Sequence, residues 1–167
     1  TASGTLTLGG TAVTSTAAEI NYLDITTLGT TEASKAVTAD ANGDIIFAGD
    51  VSFSNAIIED YESVSDSSGT TTVDLSTGTN FSSTLSANTQ FAFTSPASDG
   101  SVSAFTLKIV QDASASGYTV TWPAAVNWPS ATAPTLTATA SAVDYFVFIT
   151  HDGGTNWYGF TAGQALG

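Results

Sequence analysis

From residue 70 onward the sequence is a succession of short runs in which apolar and polar residues alternate, and few architectures can use such a pattern. The runs are TTTVDL (70–75), FSSTL (81–85), TQFAFT (89–94), AFTLKIVQ (104–111), YTVTW (118–122), TLTAT (135–139), VDYFVFIT (143–150) and NWYGFTA (156–162). Turn residues separate them at Pro96 to Gly100, Ser114 to Gly117, Pro129 to Pro134 and Asp152-Gly153-Gly154. A two-residue period in short runs is the mark of strands, and this many in series predict a β-sandwich or jelly roll. Phe91/Phe93, Leu107/Ile109 and Val120/Trp122 are expected to point inward. VDYFVFIT is apolar on both faces, with Val143, Tyr145, Val147 and Ile149 on one and Phe146 and Phe148 on the other. It and Tyr118–Trp122 are expected at the heart of the core. VDYFVFIT should be covered by the opposing sheet on one side and a neighbouring subunit on the other.

The N-terminal part reads differently. TLTLGGTAVT (5–14) is extended and turns at Gly9-Gly10. Thr16 and Glu19 have capping-box spacing, which predicts a short helix from near Ala17 through Ala18 to Leu23. Residues 30–36 are expected to add a second helical turn, and 37–53 two or three short strands around an Asn42-Gly43 hairpin. Helices of one or two turns are unstable alone in water. The acidic run Glu59, Asp60, Glu62 and Asp66, followed by Ser67-Ser68-Gly69, sets the expected boundary between a stalk or oligomerisation region (1–66) and a tip domain (67–167). Only Tyr22, Phe47, Phe53 and Tyr61 of the 17 aromatic residues precede it. A region so small and so poor in core formers is marginal. Three copies around one axis would bury Leu6, Ile20, Leu23, Ile46, Phe47 and Phe53 against one another, so a homotrimer is expected. No coiled-coil heptad is present.

Charge and composition exclude several functions. Two Lys, no Arg and 15 Asp or Glu give a net charge of −13, which excludes a phosphate-neutralising nucleic-acid surface and disfavours anionic membranes. No run of 18 apolar residues suggests membrane insertion. Without Cys there is no disulfide framework. A hydrophobic content of 42% argues against disorder. With Thr at position 1 and no Met, the chain reads as a processed product or part of something longer.

Candidate chemistry is thin. His151 beside Asp152 suggests a triad fragment, but a hairpin end explains both residues. Asp40, Asn42 and Asp44 have the alternating oxygens of a Ca²⁺ loop, yet position twelve of that loop is Val51 instead of Glu; an Asx turn accounts for them without metal. Glu59, Asp60, Glu62 and Asp66 include carboxylates that a glycosidase could pair, but the run reads as a solvated linker. Trp122, Trp128, Trp157 and Tyr158 are the candidates for stacking on sugar rings, with core packing as the competing role. No catalytic residue and no cofactor is expected.

Beyond these patterns, TSTAAEINYLDITTLGTTEASKAVTADANGDI resembles a repeated segment of tailed-bacteriophage tail fibres and related virion proteins of marine and cyanobacterial phages. The pieces TTVDLSTGTNFSSTLSANTQFAFTSP, YTVTWPAAVNWPSATAPTLTATASAVDYFVF and HDGGTNWYGFTAGQAL are similar to a terminal β domain of such proteins. Together the likenesses cover roughly residues 17–50 and 70–166. They imply a homotrimeric structural appendage on the virion surface. Its expected partners are other tail or capsid proteins and host surface polysaccharide, and no catalytic residue carries over. The expected architecture is all-β with one or two short N-terminal helices, a hairpin stalk and a sandwich or jelly-roll-like tip. A capsid-mounted fibre or decoration protein is the alternative within viruses. Outside them it is a secreted bacterial adhesin or surface-layer module.

Overall fold

The structure is a computed structural model that describes residues 6–28, 30–43, 45–47, 49–65, 69–114 and 117–166. The chain divides into two compact units, 1–57 and 58–167. The division lies upstream of residue 66 because β3 (Glu62–Ser63) pairs in parallel with β5 (Asn80–Thr84) and so belongs to the second unit. Asp66, Ser67 and Ser68, where the sequence places the boundary, are outside the described residues.

In the first unit, β1 (Thr7–Leu8) and β2 (Thr11–Ala12) form a small antiparallel hairpin around Gly9-Gly10, where both glycines take positive φ. Helix α1 (Ala17–Asn21) starts on a full capping box: Thr16 accepts from the Glu19 amide, and Glu19 accepts from the Thr16 amide at 2.7 Å. Residues 30–36 do not form a helical turn. Instead the Glu32 carboxylate captures the amides of Thr26 at 2.6 Å and Thr27 at 3.3 Å, folding the chain back locally. Lys35 Nζ reaches the Asn21 carbonyl at 2.9 Å, and the Ala36 amide donates to the Tyr22 carbonyl at 2.8 Å. The expected strands in 37–53 are replaced, among the described residues, by an isolated Thr30↔Ile46 bridge. At Asn42-Gly43 the Asp40 side chain takes the Asn42 amide at 2.8 Å, so the turn closes on a side chain without a hairpin ladder.

The second unit is built from β sheets of several strands. Its other strands are β4 (Thr70–Asp74), β6 (Thr89–Thr94), β7 (Ser103–Val110), β8 (Val120–Thr121), β9 (Val126–Asn127), β10 (Val143–Thr150) and β11 (Trp157–Leu166). One sheet has the order β3-β5-β7-β10-β11-β9 and the other β4-β6-β8. Successive strands from β3 to β8 therefore alternate between the sheets. Within each sheet these strands pair in parallel: Glu62 beside Phe81 beside Leu107, and Thr71 beside Phe91. The chain coils, each strand serving as the crossover that a parallel neighbour requires. Only then do β7, β10 and β11 add antiparallel ladders.

Residues from both sheets meet in one core. Phe93 of β6 touches Phe105 of β7 and Phe148 of β10, with ring centroids 4.9 and 4.8 Å apart. Phe91, Phe105, Leu107, Ile109, Phe146 and Phe148 are fully buried. The centre is thus β5, β6, β7 and β10. The segment Tyr118–Trp122 contributes only the two-residue edge strand β8, its Val120 and Trp122 half-buried. Buried Gln111 explains the shortening: its Oε1 accepts from the Tyr118 amide at 3.2 Å and its Nε2 donates to the Tyr118 carbonyl at 2.9 Å. The segment 135–139 forms no strand for the same kind of reason, because the Thr137 amide is taken by the Asp144 side chain at 2.7 Å.

Candidate functional site

His151 is exposed in the β10–β11 connection. Asp152 beside it accepts from the Asn156 amide at 2.9 Å, Asn156 Nδ2 at 2.8 Å and Thr150 Oγ1 at 2.9 Å. These donors, Asn156 foremost, hold its carboxyl below the usual carboxylate range. Its oxygens are committed to shaping the loop. The tight path requires Gly154, which has φ +82°; a Cβ there would lie 2.9 Å from Pro96 Cγ.

Of the oxygen set Asp40, Asn42 and Asp44, the first two make the Asx turn and Asp44 lies outside the described residues. Among the described residues no three His, Asp or Glu side chains converge on a common point. The acidic run is split as well. Glu59 accepts from Asn80 Nδ2 at 2.7 Å and Thr79 Oγ1 at 3.2 Å, Glu62 sits in β3, and Asp66 lies outside the described residues.

The three indoles point into the core. Trp157 is 2% exposed. Trp122 stacks on Phe91 at 5.5 Å, and Trp128 lies 5.2 Å from Trp122. Gly159 makes room for Trp128: a Cβ there would come 2.8 Å from the indole ring. Tyr158, one residue from buried Trp157, faces the opposite way and is 48% exposed. Strand alternation separates the two, a signal already present in the order of the residues.

Tyr158 opens onto the feature that most distinguishes the surface. On the outer side of the six-stranded sheet, ladder register aligns Ser82, Lys108 and Tyr145 in one row. Asn80, Thr106, Val147 and Phe160 form the next row, and Ala104, Ile149 and Tyr158 the third. Tyr145, Tyr158 and Phe160 are exposed, and Val147 and Ile149 half-buried. At the β5 side Glu59 reaches this face through Asn80, whose Oδ1 accepts from Thr106 Oγ1 at 2.8 Å. A shallow depression of about 220 Å³ between Glu59, Thr106 and Val147 marks the place. Phe146 and Phe148 are buried on the inner side, as the two-faced pattern requires, while the outer row-mates Tyr145, Val147 and Ile149 are left exposed or half-buried.

A further residue escaped sequence reasoning. Asp144, the one acid in VDYFVFIT, is 3% exposed. It accepts from the Thr137 amide (2.7 Å) and hydroxyl (2.8 Å), the Ala165 amide (3.0 Å) and Gln164 Nε2 (3.3 Å). Burial pushes its carboxyl upward, but the Thr137 and Ala165 amides and the two side-chain donors outweigh it and hold the group below its ordinary value. It is a clamp between β10, the 135–139 segment and the C-terminal end of β11. Its position on an apolar strand was the available signal.

No protein-family model, curated protein or solved structure matches the chain.

Proposed function

We propose that the chain is a structural subunit of a bacteriophage virion appendage. In this reading it is a homotrimeric fibre whose N-terminal unit drives association and whose C-terminal unit, a two-sheet β-sandwich, is displayed as the tip. The observation that carries the assembly reading is in the first unit: none of the described residues in 6–57 is buried. Leu8 is 65% exposed, Ile46 62% and Phe53 62%. Burying such side chains is worth about 1.5–3 kcal/mol each, and the described residues of this unit form no core in which to do so. Many large apolar side chains left exposed in one small unit favour an interaction surface.

The phage assignment rests on the resemblance of residues 17–50 and 70–166, and the tail position with host attachment on the same likeness. The role is mechanical and adhesive, with no substrate turned over: Glu59, Asp144 and Asp152 are each engaged in holding loops and strands. Sedimentation of the full chain at micromolar concentration tests the assembly, the expected mass being three copies of 16.9 kDa; a stable monomer overturns it. Antibody labelling of phage particles under the electron microscope tests the location. Label on the tail supports a tail fibre, label on the head a capsid-mounted fibre, and none on particles the bacterial adhesin.

A further inference from the structure

We infer that the outer face of the six-stranded sheet is the surface through which the tip units of separate copies of this chain pack together, an inference that rests on the assembly proposed above. The first argument is charge. The outward residues of β5, β7, β10 and β11 carry one charge, Lys108. Glu59 at the margin balances it, leaving the face neutral on a chain of net charge −13. The remaining described acids of this unit lie elsewhere: Asp60 on the entering segment, Glu62 on edge strand β3 in register with buried Phe81, Asp74 on the other sheet, Asp99, Asp112 and Asp152 in connections, and Asp144 on the inner side. Copies meeting on this face bring no cluster of like charges together, a clash that costs affinity wherever acids are opposed.

Residue type agrees. Tyr145, Tyr158 and Phe160 surround Val147 and Ile149, and an aromatic, charge-depleted patch is the composition of an interface centre. Edge pairing is a poor alternative route, because β3 and β9, at the two edges of the sheet, are two residues long. Finally, association through the N-terminal unit would tether the tips at an effective concentration that reaches the millimolar range for short linkers. A face of modest affinity is then enough.

The chain contains no Cys, so single cysteines report proximity without background. Full-length Tyr158→Cys is compared with Thr72→Cys, an exposed site on β4 of the other sheet, using a short bis-maleimide and sedimentation of the same samples. The expected result is a trimer in which Cys at 158 links between copies at least tenfold faster than Cys at 72. A trimer in which position 158 stays unlinked and open to a bulky maleimide overturns the packing face while leaving the fibre reading intact; protection of that thiol by host polysaccharide would then assign the face to sugar. A monomer by sedimentation overturns both.

Discussion

Replacing Asp144 by Asn removes one charge and one acceptor from a buried site while keeping its shape. Each carboxylate oxygen now serves two donors: Oδ2 takes the Thr137 amide and Gln164 Nε2, and Oδ1 takes the Ala165 amide and the Thr137 hydroxyl. The Thr137 hydroxyl can rotate to accept from the new NH₂ group; a backbone amide cannot. With Nδ2 in place of Oδ1 the Ala165 amide keeps a second acceptor, the Thr137 hydroxyl at 3.2 Å, so no backbone N–H is orphaned, and the cost is the charge assistance lost by the surviving bonds, roughly 1 kcal/mol each. The expected destabilisation is about 2–3 kcal/mol. In a unit of this size that is a fall in Tm of about 8–12 °C, measured by circular dichroism at fixed protomer concentration. Acid supplies the second readout. Because the folded carboxyl sits below its unfolded value, its contribution is fully present above the unfolded pKa, about 3.9 for Asp, and is lost as pH falls through the folded pKa. The gap between wild type and Asp144→Asn should therefore stay constant from pH 7 to 5 and narrow below about pH 4. A variant within about 2 °C of wild type at pH 7, or a gap that widens in acid, refutes the clamp.

Phe148→Ala should cost about 3–5 kcal/mol by urea denaturation, whereas exposed Thr121→Ala should stay within about 0.5 kcal/mol. Gly159→Ala should force Trp128 off the sheet, costing about 1–3 kcal/mol and shifting tryptophan emission to the red; unchanged emission and stability would mean the ring is not seated there. EDTA should leave Tm unchanged if the Asp40 turn closes on its own side chain, and a fall of more than about 5 °C restored by Ca²⁺ would assign that turn to metal.

What the sequence revealed follows from what its periodicities encode. The Thr16–Glu19 box gave the start of α1, and the two-residue period gave the strand Thr70–Asp74 and the strands Thr89–Thr94 and Val143–Thr150 with their inward Phe residues. Periodicity specifies a strand but not its partner, so the parallel coiling of β3 to β8 was not legible. Neither were the positions where a polar side chain occupies a backbone group that a ladder would otherwise use. Gln111 at Tyr118, Asp144 at Thr137 and Asp40 at Asn42 each end or replace an expected strand. At the candidate site, Trp157 and Tyr158 were grouped by chemistry, although adjacent residues of one strand must face opposite ways.

Strand order also decides how the second unit would carry load in the proposed fibre. A pull transmitted from residue 58 enters at β3, the first edge of the six-stranded sheet, and residue 166 ends β11, one strand from the opposite edge. β3 and β11 run in the same direction, so tension between the entry of one and the end of the other has a component along the strands that loads the ladders in shear. The first ladder in its path is the two-residue β3–β5 pairing, backed by the Glu59 bonds to Thr79 and Asn80. In a single copy this short ladder would yield before the long β7–β10–β11 ladders. In the proposed trimer three copies would divide the load at that junction, so assembly would relieve a two-residue pairing that a lone copy must hold by itself.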